Sequence, residues 1–394
     1  MTFFNELKQL LKKNIRDYGM YIALFVIMTI FAITTDGVFI SSRNISNLLN
    51  QMGYIAVLAI GMTLVIVIRH IDLSVGFLAG FLGAVAAIAL TSWGLPVGLV
   101  IPLVLILGIL AGQITATTIA RFGIPSFVAT LAGWLIYRGA LLQATLRTGT
   151  IIIPNDTFNA LGNGYIPDLP LEGFLPDLHK LTLLIGIAGA VLMVVSSISS
   201  RRKKMDYDFE VLSKNIFVVK LVFIVLLIGA ITYVLAGYNG LSWTAVIVLV
   251  VTLVYHFLTT QTFFGRHIYA VGGNPEAAEL SGISVSKITY IVFGSMGFLS
   301  ALSGMLYASR LQSATTTAGT LFELDAIAAA YVGGVSSAGG VGKVTGSLIG
   351  AIVMVSLTNG MNLMGIDIST QYIVRGAVLV LAVIFDVTTR KNRS

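Results

Sequence analysis

The sequence predicts an all-α, polytopic membrane protein, and three observations carry the prediction. The 394 residues are 56% hydrophobic and only 10% charged, with a mean hydropathy of +0.93. Apolar runs of bilayer-spanning length recur from one end of the chain to the other. The surplus of 24 Lys+Arg over 17 Asp+Glu gathers in a few short loops, the pattern of cytoplasmic loops rather than of a nucleic-acid surface. A transmembrane barrel would show short alternating segments, which are absent. Without cysteine the chain has no disulfides, thiol catalysis or Cys-ligated metal. His70, His179, His256 and His267 form no HExxH-like pair, so neither a metal site nor a cofactor is expected.

Residues 1–18 read as an amphipathic, basic leader, with Lys8, Lys12, Lys13 and Arg16 ahead of the first apolar run. That run, residues 19–35, is long enough to span and has no small-residue cleavage pattern after it, so it reads as a retained helix. Residues 36–44 form an external turn, with Asn44 or Ser46 capping a second span over 47–68. The span ends in Arg69, His70, Ile71 and Asp72, which suit lipid poorly. Through residues 74–90, Gly76, Gly80, Gly83 and Ala87 recur at three- or four-residue spacing, a stripe that lets another helix approach closely. A fourth span covers 95–119. In residues 123–139 (GIPSFVATLAGWLIYRG), Pro125 and Ser126 open a helix, Thr130 and Gly133 thin one face, and Arg138 arrives near the outer end, where it snorkels or lines a water-filled path.

Residues 148–180 are the longest polar stretch, carry Pro154, Pro167, Pro170 and Pro176, and read as an external loop. A span over 181–197 returns to a cytoplasmic basic loop, 200–216, where Arg201, Arg202, Lys203 and Lys204 are the strongest positive-inside marker in the chain. Residues 217–235 and 241–260 make an out-and-back hairpin that delivers residues 265–287 to the cytoplasm. A span over 288–308 ends at Arg310. Glu323 and Asp325 precede a short apolar helix that Gly333-Gly334 and Gly339-Gly340 break. Two more spans follow, the last running from Gln371 to Asp386, and the tail is basic. The reading is one transmembrane domain, 1–394, of about 10–12 helices including broken or half helices, with both termini cytoplasmic. Residues 127–149 and 296–319 echo each other, each passing from a small-residue helix through an arginine into a Thr/Ala/Gly-rich exit, as in duplicated transporters.

The chain is organised around residues 265–282, GRHIYAVGGNPEAAELSG. Gly272 and Gly273 break the preceding helix, Asn274 caps the next, and Pro275 takes its first position. Glu276 and Glu279 suit the positive end of the dipole; Ala277 and Ala278 lie between them; Ser281 and Gly282 stop the helix. A stub of about two turns is too short to stand alone in water, so something must pack on it. An ordinary capped loop between spans would show the same caps. For a path through the membrane, the polar candidates are Gln51, Thr63, Asp72, Ser74, Thr130, Arg138, Glu323, Asp325, Asn359 and Asn362. Asp72, Glu323 and Asp325 also suit caps at the membrane boundary, and none falls in mid-span. An ion-coupled carrier keeps carboxylates within its spans, so the driving energy is expected from outside the chain. The glycine-rich run 333–346 is no phosphate loop, because Val344 follows Lys343 where GxxxxGK[ST] needs Ser or Thr.

Four long motifs stand in one order: IDLSVG (71–76), IPSFVATLAG (124–133) with Arg138-Gly139, GRHIYAVGGNPEAAELSGI (265–283), and ELDAIAAAYVGG (323–334) with AGGVGKVTGSLIGA after it. Through them the chain resembles the permease subunits of monosaccharide ABC importers of the ribose, xylose and galactose group, and within it the longer xylose or multiple-sugar type. The resemblance implies a fold like that of the vitamin B12 permease, with the span pair flanking Arg201 as an insertion. It places a coupling helix on residues 274–282, docked in a cleft of a partner ABC ATPase. It implies a homodimeric pathway in the cytoplasmic membrane, fed with xylose or a related sugar by an extracytoplasmic sugar-binding protein, and no catalytic residue in this chain. Two other readings stay open on the residues alone: an ion-coupled secondary carrier for a small polar solute, and a nontransporting scaffold.

Overall fold

A chain this apolar must satisfy its backbone within each segment, and helices do that. The computed structural model describes residues 15–171, 173, 175–209, 211 and 213–391, so most of the basic leader and the end of the tail lie outside the described residues. In order, the helices are α1 (Ile15–Thr34), α2 (Ser42–Val67), α3 (Val75–Thr91), α4 (Val97–Ala120), α5 (Ser126–Thr145), α6 (Asp156–Asn163), α7 (Lys180–Asp206) and α8 (Lys214–Ala236). They continue as α9 (Trp243–Gln261), α10 (Phe263–Gly273), α11 (Pro275–Leu280), α12 (Val285–Leu311), α13 (Phe322–Val332), α14 (Val344–Leu363) and α15 (Ile368–Lys391). Among the described residues, 9 helices are long and apolar enough to cross a membrane, and two shorter apolar ones are Gly19–Thr34 and Val75–Thr91. With α13 as a further partial span, this agrees with the expected helix count.

Helices α2 and α12 form the centre, 89% and 72% buried along their apolar windows, whereas α7, α8 and α15 are 6% buried and face outward. Small residues set the central contacts. A Cβ on Gly297 would land on the Gly108 carbonyl and one on Gly112 would land on the Phe293 carbonyl, so α4 and α12 run antiparallel with backbones touching. Helices α2 and α14 are also antiparallel: Asn44 and Asn359 exchange side-chain hydrogen bonds of 2.9 and 3.2 Å at one end, and Thr63 donates to Ser347 at 2.5 Å toward the other. The Asn44 end carries the two-stranded ladder of β1 (Thr150–Ile152) with β2 (Ser313–Thr315), paired antiparallel. Strand β2 lies within the second of the two segments whose sequences echo each other, and β1 follows directly on the first. The stretch expected as a plain loop, 148–180, therefore holds a strand and α6, packed down on α12 where Ser309 Oγ accepts from Gly162 N at 2.6 Å.

Four expectations are corrected. Helix α2 is capped by Ser41, whose Oγ accepts from Asn44 N at 3.4 Å, and not by Asn44 or Ser46; the Asn44 amide is already committed to Phe39 O and Asn359. Arg201–Lys204 lie inside α7 rather than in a loop, because cations at a helix C-terminus complement its dipole. Gly272 and Gly273 stay helical to the end of α10, and the break falls at Asn274, with φ −150°. Glu323 and Asp325 are not at a membrane boundary. Phe322 packs its ring 4.9 Å from that of Tyr54, half-way along the 26 residues of α2, so α13 begins in the middle of the bundle.

Candidate functional site

The first site is the knob formed by α10 and α11. Thr262 caps α10 through Gly265 N, and Asn274 Oδ1 caps α11 by accepting from Ala277 N at 3.1 Å, with Pro275 following at the first position. Ser281 Oγ donates back to Ala277 O at 2.8 Å, and Gly282, at φ +82°, turns the chain into α12. Of α11 only Ala278 is buried and Pro275 half-buried; Asn274, Glu276, Ala277, Glu279 and Ser281 are exposed, as are Gly273 and Gly282. Leu280, which the sequence reading left out, is 91% exposed. Among the described residues nothing covers this side chain, which stands at the last position of α11.

The knob is strapped to the bundle at its base. Arg69, in the left-handed region at φ +65°, donates Nε to Gly272 O at 2.7 Å and Nη2 to Gly273 O, satisfying the last carbonyls of α10. Gly272 lies on the end of α2, where a Cβ would collide with the Val67 carbonyl, and Gly340 N donates to that same carbonyl at 2.8 Å. Tyr269 OH donates to Gly342 O at 2.6 Å. One patch thus joins the knob to the C-terminus of α2 and to the glycine-rich loop ahead of α14. Arg69 was legible only as a residue unsuited to lipid; its role needs the contact across 203 positions to Gly272.

The second site lies inside the bundle. The first turn of α3 abuts α13, so that a Cβ on Gly76 would meet the Glu323 carboxylate and Gly319 O. Asp72, 4% exposed, accepts from Ser74 N at 2.9 Å and Ser74 Oγ at 2.6 Å, which shapes the turn into α3. Thr130 donates to Ile71 O at 3.4 Å, and Trp134 Nε1 donates to Glu323 Oε1 at 3.0 Å. Arg138 lies with its guanidinium 5.0 Å from the Phe77 ring, at the level of the α3 start rather than near the outer end, because α5 packs along residues 71–77. Asp325 pairs with Arg375 of α15.

Of the path candidates, the structure therefore brings together Asp72, Ser74, Thr130, Arg138 and Glu323, while Asp325 turns to the opposite side of α13 and lines a cavity with Tyr372 and Arg375 of α15. Gln51 sits apart on α2, three residues before Tyr54, its Oε1 buried and unpartnered among the described residues. Asn359, Thr63 and Asn362 do not belong: Asn359 and Thr63 tie α14 to α2, and Asn362 accepts from Gln371 at 2.7 Å. Trp134 and Arg375 were missed, although each stands in or beside a span as a polar group needing a partner. Among the described residues no group of three or more His, Asp or Glu could hold a metal ion.

A largely lipid-facing helical bundle, with interior helix starts and a clamped, outward-pointing knob, defines the class: a polytopic membrane transport permease. The chain belongs to the family described as branched-chain amino acid transport system / permease component, which it matches over residues 44–383. It is 41% identical over 382 residues to the xylose transport system permease protein of Haemophilus influenzae, covering 96% of this chain and 98% of that protein. The xylose transport system permease protein of Escherichia coli K12 is 38% identical over 390 residues, covering 99% of this chain and 95% of that protein. The ribose import permease protein of Haemophilus influenzae is 35% identical over 370 residues, 93% of this chain and 91% of that protein. No solved structure matches.

Proposed function

We propose that this chain is the membrane-spanning permease subunit of an ATP-driven ABC importer for a monosaccharide, xylose or a related pentose or hexose. The observation that carries the proposal is the α11 knob, with Leu280 bare at its tip and its base fastened to α2 and the 333–343 loop. Such a lever suits a docking ATPase, which hydrolyses ATP while this chain carries no catalytic group. The knob and the basic end of α7 then lie on the cytoplasmic side with both termini, following the positive-inside bias. The ladder and α6, at the opposite end, form the landing surface for an extracytoplasmic sugar-binding protein. A second copy completes the pathway, and the whole chain acts as one permease domain in the cell membrane, with the coupling segment at 265–287. The family's description mentions branched-chain amino acids, but the relatives that span nearly the whole chain are xylose and ribose permeases, and this supports a sugar.

Motion of α11 reaches the bundle through contacts already described. Pulling the knob shifts Gly272 against Val67 and Gly340, which tilts α2 and α14 together. One observation favours the carrier reading: Glu323 is buried and Asp325 half-buried half-way through the bundle, where ion-coupled transporters place carboxylates. Asp325, however, is neutralised by Arg375, and Glu323 is held by Trp134. Proteoliposomes separate the two readings. Sugar uptake should require the ATPase, the binding protein and ATP; uptake by the permease alone under an ion gradient would establish the carrier instead.

A further inference from the structure

Two helices of this bundle begin in its interior, side by side. The first turn of α3 lies against Gly319 and Glu323, and α13 starts at Phe322, level with Tyr54 and Tyr307, whose rings are each 4.9 Å from that of Phe322. From this common level α3 rises toward the end that carries the ladder, and α13 descends toward the glycine-rich loop. Irregular backbone at the middle of a membrane bundle is tolerated only against protein or water, and paired discontinuous helices are the form in which transporters build sites at that depth.

Helix α5 packs on α3 and reaches Glu323 at the same level. Its apolar window is only 11% buried, yet at the level of the two helix starts it carries Trp134 and an exposed Arg138. The Arg138 guanidinium lies 5.0 Å from the Phe77 ring and 5.7 Å from that of Trp134, and among the described residues no carboxylate is within ion-pair distance of it. The next residue, Gly139, has open space where a Cβ would point. A lone guanidinium half-way along a span is strongly disfavoured against hydrocarbon, so this face of α5 looks onto water or another protein surface. On the Nε1 edge of Trp134, Glu323 is 4% exposed; Oε1 accepts from Trp134 Nε1 at 3.0 Å, and Oε2 is buried without a partner among the described residues.

We propose that Trp134, Arg138 and Glu323 form a subsite for a neutral, polyhydroxylated sugar in passage through the bundle, an inference that rests on the sugar-importer reading above. Sugars present apolar C–H faces and a rim of hydroxyls. The indole stacks on the first, while the guanidinium donates to the second and the carboxylate accepts from it. A hydroxyl donating to Glu323 supplies the partner that Oε2 lacks. The sugar has no charge, so the cation and the carboxylate serve as donor and acceptor and not as counter-ions. Affinity is weak, because a site on a path must release what it holds.

The chain has 3 tryptophans, Trp93, Trp134 and Trp243, so Trp93→Phe with Trp243→Phe leaves Trp134 as the sole indole. Titrating that full-length permease in nanodiscs with D-xylose and D-ribose should change its fluorescence saturably, and sucrose at matched osmolarity should not. Arg138→Gln should weaken the response by about tenfold or more, as expected for one hydrogen bond from a charged group, with Arg138→Lys partly restoring it. In the complete reconstituted importer, Arg138→Gln should raise the KM for sugar uptake while ATP hydrolysis stimulated by the binding protein stays near the parental rate. Parental uptake with no sugar-dependent change at Trp134 would overturn the subsite and leave the importer reading intact. Equal loss of uptake and stimulated ATP hydrolysis in Arg138→Gln would also overturn it, as the mark of a structural role. Absence of ATP-driven sugar uptake by the parental importer would instead remove the reading on which it rests.

Discussion

Replacing Leu280 by Asp removes the most exposed large hydrophobic side chain of the knob without touching the bundle. Leu280 is 91% exposed, and the α11 caps run through Asn274 and Ser281, so folding stability should change by less than about 0.5 kcal/mol. Docked in an ATPase cleft, the same leucine would be buried, and full burial of such a side chain is worth about 1.5–3 kcal/mol. Its loss should weaken the permease–ATPase complex by about 10- to 150-fold, and more where the new carboxylate is left unpaired in the cleft. Calorimetry of the purified ATPase titrated into the permease in nanodiscs measures this directly, with the thermal midpoint of the permease as a control. Unchanged affinity, with the variant folded, would refute the assignment of α11 as the docking element.

Further outcomes follow from the same contacts. Arg69→Ala removes two hydrogen bonds from a cation to the end of α10, so ATP hydrolysis should continue while uptake per ATP falls several-fold; an unchanged ratio would contradict the strap. Asn359→Leu leaves Asn44 short of a buried partner and should cost about 1–3 kcal/mol, read as a lower thermal midpoint, with the KM for sugar unchanged because Asn359 is engaged with Asn44 of α2 and not with Trp134, Arg138 or Glu323. Asp168, outside the spans, feels a desolvation that raises its pKa. Hydrogen bonds from the Leu181 and Leu169 amides, with His179 and Lys180 nearby, outweigh it and hold the pKa at about 2. A carboxylate depressed below its usual 3.8 lends its anchoring of the 165–180 segment in full above that value, and the anchoring is lost as pH falls through about 2. Hydrogen exchange of that segment should therefore be constant from neutral pH down to about 5 after correction for intrinsic rates, and faster across that range in Asp168→Asn.

Much of this architecture was legible because lipid imposes simple rules. Most spans, the Asn274-Pro275 cap and the Ser281-Gly282 stop are local signals that fall where the sequence puts them to within a few residues, whereas the span begun at 181 runs on through the basic cluster to Asp206. What failed was depth. Glu323 and Asp325 read as boundary caps because an acidic first turn looks the same at any level of a membrane, and only the Phe322–Tyr54 contact reveals that α13 starts half-way down. Arg138 was misplaced for the related reason that α5 is offset along α3, a register that packing at Gly133 and Ser74 decides. Asn359 looked like a path residue, yet its partner lies 315 positions away, beyond any periodicity. Leu280 was overlooked because a single leucine in a polar stub carries no pattern; its meaning is its exposure.

The sidedness and contact of the knob test the central claim most directly. The chain has no cysteine, so Leu280→Cys introduces a single thiol. A membrane-impermeant maleimide should label it in inverted vesicles and not in intact cells, and added ATPase should shield it. Labelling from outside the cell, or labelling indifferent to the ATPase, would contradict the account.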